Sequence, residues 1–322
     1  MSYHISVAPM MNWTDRHARY FMRLLAPDIR LYTEMITTKA LLHGNQKKLL
    51  AFDPKEKPLA LQLGGSESKE LATCASLAEQ LHYDEVNLNI GCPSSRVYAG
   101  RFGACLMREP LLVAECISRM QANVTIPITV KCRIGVDNQA NLANLIHFIE
   151  TVSSAGCNHF IIHARTALLS GLNPKQNRLI PPLRYDLVYE AKKHFPNLTV
   201  ILNGGIKTIE DINIVRPKVD GVMIGRAAYC NPFFLSEIQK TFFLNLSFLN
   251  RINAMIAYLP YVEEQLRQGV RLTNITRHIL GLFHGQPNGA VWRRYLSQEA
   301  HKTNASIDVI HHALSLLYQK VS

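Results

Sequence analysis

Eight short runs rich in β-branched and apolar residues recur at even spacing, and no other feature constrains the fold as tightly. They are ISVA at Ile5–Ala8, LYTEM at Leu31–Met35, LALQL at Leu59–Leu63 and VNLNI at Val86–Ile90, then ITVKC at Ile128–Cys132, FIIHA at Phe160–Ala164, TVILN at Thr199–Asn203 and GVMIG at Gly221–Gly225. Such runs read as parallel strands buried on both faces. Helical spacing fills the gaps, as in Leu142, Leu145, Ile146, Ile149 and Val152, or Val113, Ile117 and Met120 behind Pro110. Thr14 with Asp15 reads as the start of a helix carrying Tyr20, Phe21, Leu24 and Leu25, and Pro196 ends a helix around Leu187–His194. Eight alternating units over about 240 residues predict an α/β fold, a (β/α)8 TIM barrel. The rival, a doubly wound open sheet, usually has a Gly-rich turn after its first strand; here Ala8-Pro9-Met10-Met11 follows instead.

Strand signals stop near Leu244. Apolar spacing through Met255–Leu266, Ile275–Phe283 and Ile307–Leu317 is helical, so residues 1–243 read as the catalytic barrel and 244–322 as a small helical domain. That domain holds eight Lys and Arg, Lys320 among them, against four acids. The whole chain is basic, with 35 Lys and Arg against 24 Asp and Glu and a formal charge of +11, which suits an anionic partner such as nucleic acid, a membrane surface or a phosphorylated ligand. Seven cysteines without a C-x-x-C pair argue against a disulfide framework or a zinc cluster, and no metal site is expected. Free thiols fit a reducing cytoplasm. The N-terminus lacks the pattern of a signal peptide, and no run spans a bilayer; the apolar stretch Phe242–Leu249 is short and interrupted.

A barrel places chemistry in the loops after its strands. Asn203-Gly204-Gly205 after the seventh strand and Gly225-Arg226 after the eighth sit where barrels commonly bind phosphate: glycines admit close approach of backbone N–H groups, and Arg226 adds a charged fork. Gln62, Asn89, Lys131 and His163 are polar residues at strand ends where packing would prefer apolar ones. A lysine in a buried strand is costly unless it meets an anion or a wet pocket, which makes Lys131 a strong site candidate. Taken alone, His163 reads more readily as a hydrogen-bonded core histidine. The loop Gly91–Leu106 is long and rich in Gly, Ser and Arg, and opens with Cys92; a free thiol near neutral pH is mostly protonated and can donate a proton. Cys74 and Cys116 read as buried small hydrophobes. The loop Ala164–Leu183 is also long, holds Arg165, Lys175 and Arg178, and is stiffened by Pro174, Pro181 and Pro182. Its cations fit either substrate phosphates or a solvated surface.

Taken in order along the chain, APMMNWTD at 8–15, LQLGG at 61–65, NLNIGCPS at 87–94, TVKCRIG at 129–135, IIHAR at 161–165, NGGI at 203–206 and GVMIGR at 221–226 resemble the tRNA-dihydrouridine synthases. TEMITT at 33–38, GLNPKQNRLIPPL at 171–183 and LGLFHG…WRRYLS at 280–297 resemble the A subfamily, the tRNA-dihydrouridine(20/20a) synthases. The resemblance implies reduction of uridine to dihydrouridine in the tRNA D-loop, with FMN as cofactor and NADPH (or NADH) as reductant. It implies hydride transfer from flavin N5 to uracil C6 and protonation of C5 by Cys92. It places Pro9, Met10, Met11, Gln62, Lys131 and His163 at the flavin ring and ribityl chain, and Asn203, Gly204, Gly205, Gly225 and Arg226 at its phosphate. It assigns tRNA contacts to Asn89, Lys175, Arg178, Arg293 and Arg294. The target base must leave its stack to react. No membrane and no stable protein partner is expected.

Two other readings compete. A flavin barrel acting on a free pyrimidine explains Lys131 and Cys92 but not the basic helical tail, and a tRNA-binding assay separates it. A non-catalytic RNA-binding protein on a barrel scaffold is opposed by the intact Cys92 and Lys131, and a bound yellow flavin would oppose it further.

Overall fold

Each expected run lies within two residues of a strand in the computed structural model, which describes residues 3–243 and 249–318. The strands are β1 (His4–Val7), β2 (Leu31–Thr37), β3 (Leu59–Gly64), β4 (Glu85–Ile90), β5 (Ile128–Arg133), β6 (His159–His163), β7 (Thr199–Asn203) and β8 (Gly221–Ile224). All pair in parallel, in the order β1-β8-β7-β6-β5-β4-β3-β2. The two ends of that order meet at Arg30, which bridges Ser6: the Val7 N–H donates to the Arg30 carbonyl at 3.0 Å, and the Arg30 N–H to that of Ile5 at 3.2 Å. The sheet thereby closes into the expected (β/α)8 barrel.

Alternation decides what fills the barrel, because successive side chains of a strand point to opposite faces. Ala8, Tyr32, Ala60, Ile161, Ile201 and Met223 form a buried apolar layer, with Met10 packed against it. On β4, Val86, Leu88 and Ile90 face the other way, while Glu85, Asn87 and Asn89 join polar neighbours from β3 and β5. Outside the strands, Val113, Ile117 and Met120 are buried as expected on the helix Pro110–Gln121. On Leu142–Ser154 the buried face is Leu145, Phe148, Ile149 and Val152, whereas Leu142 is exposed.

Contacts divide the chain into two compact units. One comprises residues 1–11, 30–52 and 57–225 and holds all eight strands; the other comprises 12–29, 53–56 and 226–322. The helical unit thus begins at Arg226 rather than at the expected 244, and it includes the helix Arg16–Leu25 that follows β1. Asp15 caps that helix by accepting the N–H groups of His17 and Ala18. The partners of its apolar face come from far along the chain. Tyr20 stacks on Tyr261 with centroids 4.0 Å apart, Phe21 packs on Tyr258 at 5.0 Å, and the Tyr258 hydroxyl donates to the His17 carbonyl at 2.9 Å. Arg19 pairs with buried Glu56 at 2.6 Å, which draws in the third segment.

The expected helix Ile275–Phe283 is not continuous. A helix Leu272–Thr276 gives way to hydrogen-bonded turns before the next helix, Gly289–Glu299. This segment packs closely: the backbone of Gly281 lies so near the Cys230 carbonyl that a Cβ there would overlap it. The helices Arg251–Arg267 and Asp308–Leu316 match the remaining helical spacing. Residues 244–248 of the apolar stretch, and Lys320, lie outside the described residues. No helix among the described residues is long and apolar enough to cross a membrane.

Candidate active site at the mouth of the barrel

The C-terminal ends of β3 to β7 carry the polar side chains singled out above. Gln62, Asn89 and Asn203 are buried, and Lys131 and His163 are half-buried. Lys131 sits on β5 beside Asn89 of β4, and its Nζ donates to Asn203 Oδ1 at 3.0 Å. Asn203 in turn donates from Nδ2 to the Met223 carbonyl at 2.7 Å, so the acceptor that holds the lysine is itself held. Burial, with the nearby Arg133 charge, pulls the Lys131 pKa down to about 8. His163 is more strongly perturbed. Burial, then the charges of Arg133, Lys131, Arg165 and Arg178, hold its imidazole far below the ordinary range, and its buried Nδ1 has no hydrogen-bond partner. A buried ring nitrogen without a hydrogen-bond partner, among four cations, marks a candidate ligand-binding position.

Cys92 enters this mouth two residues beyond β4 and is half-buried. Asn89 Oδ1 accepts the N–H groups of Gly91 at 3.1 Å and Cys92 at 2.9 Å. The amide expected at tRNA therefore also fixes the backbone of the thiol. The Cys92 carbonyl accepts the Ala104 N–H at 3.0 Å, so the loop folds back on its own start. Gly103 allows this turn: its φ is +75°, and a Cβ there would stand 2.7 Å from the Cys92 carbonyl oxygen. Ser94 caps the short helix Ser95–Ala99 inside the same loop.

The two long loops are packed together. Ala104, Val136 and Ala167 form a small apolar cluster beneath them, with Met107 and Leu169. Val136 bridges Ala167, and Asp137 holds Arg108 at 2.6 Å and the Leu169 N–H at 3.0 Å. Arg133, not anticipated from the sequence, is the main tie: it donates to the carbonyls of Gly91 at 3.0 Å, Thr166 at 2.9 Å and Asn177 at 3.0 Å. Asn177 is fully buried and accepts the Leu168 N–H at 2.8 Å. Its loop carries Lys175 and Arg178 exposed on the outside, and Arg165 bonds the Pro181 carbonyl. Period-two spacing from Lys131 was the available signal for Arg133, since both take the inward face of β5.

The glycine corner is partly as expected. Gly204 and Gly205 have φ of +107° and +83°, backbone that other residues avoid. A Cβ on Gly204 would meet His163 and Leu183 at 3.2 Å, and one on Gly205 would overlap the Tyr185 hydroxyl. That hydroxyl donates to the Gly204 carbonyl at 2.6 Å, so these glycines serve local packing in addition to any ligand. Gly225 faces open space, with Ala8 and Met10 at ordinary contact distance, and Arg226 opens the helix Arg226–Cys230. Pro9 and Met10 are half-buried and Met11 is exposed. Arg293 and Arg294 are exposed neighbours of fully buried Trp292 on the helix Gly289–Glu299, in the second unit.

A closed parallel barrel whose mouth gathers cations, a half-buried imidazole and a thiol is the scaffold of an enzyme. The family model for dihydrouridine synthase (Dus) matches residues 6–317, and the chain belongs to that family. It is 51% identical to the tRNA-dihydrouridine(20/20a) synthase of Vibrio cholerae, over 99% of this chain and 98% of that one. It is 53% identical to the synthases of that name from Shewanella oneidensis, covering 98% of this chain and 93% of the relative, and Escherichia coli K12, covering 98% and 92%. Among solved structures, a 2-naphthoyl-CoA reductase complex aligns with a TM-score of 0.55 at 10% identity, over 73% of this chain and 49% of that longer one, a likeness of fold alone.

Proposed function

We propose that this protein reduces uridine to 5,6-dihydrouridine at positions 20 and 20a of the tRNA D-loop, using FMN and NADPH. Near-full-length relatives that carry that activity in their names support the substrate. The observation that carries the chemistry is that Asn89, paired in register with Lys131, holds the Cys92 backbone, so that ammonium and thiol share one mouth.

The residues present fit a flavin. The orphaned Nδ1 of His163 and the Lys131 ammonium are donors for ring carbonyls and the ribityl chain, and Gln62 joins them. Asn203, Gly204, Gly205, Gly225 and Arg226 would hold its phosphate, and Pro9, Met10 and Met11 would border its ring. When bound and reduced by NADPH, FMN supplies the hydride that uracil accepts at C6. Lys131 offsets the negative charge of a reduced ring. As the C5=C6 double bond of uracil is lost, the Cys92 thiol gives its proton to C5, and the thiolate left behind recovers a proton from solvent. Asn89 holds Cys92 and borders the flipped base, while Lys175, Arg178, Arg293 and Arg294 bind tRNA phosphates.

The test is mass spectrometry of tRNA from a strain lacking the gene, alongside purified protein with NADPH and unmodified tRNA. The expected outcome is uridine at 20 and 20a in the deletion strain, two hydrogens lighter than dihydrouridine, and its conversion by the protein. Turnover of free uracil in place of tRNA would establish the free-pyrimidine reading instead.

A further inference from the structure

We propose that Glu85 and Thr129, which lie below the mouth, position the Cys92 backbone through one directional chain of hydrogen bonds along the barrel interior; this rests on Cys92 as the proton donor. The chain begins at the buried Glu85 carboxylate. Arg30 approaches its Oε2 at 3.2 Å, and the Tyr32 hydroxyl donates to Oε1 at 2.8 Å. Thr129 donates to the same Oε1 at 2.6 Å and accepts Asn87 Nδ2 at 2.8 Å. Asn87 Oδ1 accepts Gln62 Nε2 at 2.8 Å, and Gln62 Oε1 accepts Asn89 Nδ2 at 2.9 Å. Asn89 Oδ1 then takes the N–H groups of Gly91 and Cys92.

The direction is the same read from either end. Thr129 gives its single proton to Glu85, so it can only accept from Asn87, while at the other end two backbone N–H groups require an oxygen. The amide nitrogen of Asn87 therefore points down and its oxygen up, and the same holds for Gln62 and Asn89 in turn. A flip at any link would set donor against donor or oxygen against oxygen. Every donor points toward one charge, so each bond polarises the next in the same sense. The Glu85 carboxylate and the two backbone N–H groups thus demand the same orientation, with an oxygen, not an NH2 group, facing the Cys92 N–H.

Thr129→Val removes the one hydroxyl that transmits this direction while keeping the side-chain shape. In the flavin-loaded protein, single-turnover uridine reduction is expected to fall on the order of tenfold to hundredfold, the cost of a misplaced reacting group. The solvent deuterium isotope effect on that step should rise, because proton delivery becomes more limiting. Flavin content and NADPH-driven flavin reduction, neither of which uses the thiol, report any disturbance passed on through Gln62, and uridine reduction should fall well beyond either of them. Thr129→Ser should restore both rate and isotope effect. Glu85→Gln keeps an acceptor but loses the charge; it should show a smaller fall, and it provides the reading if Thr129→Val does not fold. Wild-type rate and isotope effect in these variants, a parallel fall in flavin reduction, or no rescue by serine would each overturn the proposal. A wild-type protein that fails to reduce uridine in tRNA would overturn the proposed function instead.

Discussion

At the scale of single residues, the mouth of the barrel combines a group that gives a proton with a group that carries a positive charge at a cost. Cys92→Ala removes the first and leaves the cationic cluster intact. The variant is expected to retain flavin and tRNA binding and to lose uridine reduction by about 10²–10⁴, the usual worth of a positioned acid; single-turnover assays check this. Lys131 provides a pH signature. Its pKa without ligand is about 8, and an anionic ligand favours the protonated form, raising that value. Above the titration of the FMN phosphate, at about pH 6, affinity of the flavin-free protein for FMN is therefore expected to stay level up to about pH 8 and to decline as pH rises through it. Flavin fluorescence titrations should show that decline in the wild type, and a weaker, pH-independent affinity in Lys131→Met.

Arg133 acts at the scale of elements, since it joins three carbonyls from the two loops that frame the site. Arg133→Met leaves those carbonyls without their donor and is expected to destabilise the protein by about 3 kcal/mol. Denaturant titration measures the loss, and faster proteolysis within residues 164–183 should accompany it. The strands were legible because β-branched runs of five residues have few other uses, and Lys131 stood out because an ammonium in such a run is anomalous. Arg133 did not stand out: one step past the apolar run, an arginine looks like an ordinary surface residue until alternation sets it beside Lys131. Glu85 and Asn87 were hidden in the same way, because a glutamate at a strand start usually faces solvent. The segment between Thr276 and Gly289 carried a local signal in Gly285-Gln286-Pro287-Asn288, whereas the close approach of Gly281 to Cys230, some fifty residues away in the chain, had none.

For the molecule as a whole, the basic balance suited any anionic partner, and only the resemblance of the motifs narrowed it to tRNA. Exchanging both Arg293 and Arg294 for Ala is expected to weaken tRNA binding and to reduce the slope of log affinity against log salt by about 1.5, if each neutralises one phosphate. Titrations at several salt concentrations measure that slope, and an unchanged slope would remove the pair from the interface. Local pattern could find the helix Arg16–Leu25 and its cap, but not its allegiance, because Tyr258 and Tyr261 lie more than two hundred residues downstream. That allegiance limits how the protein can be taken apart. A cut near residue 243 would not separate an enzyme from an accessory module: it would leave an early helix exposing the aromatic face that Tyr258 and Tyr261 had covered. The two units are sewn through each other in sequence, and a lineage that lost its tail would have had to rebuild its beginning.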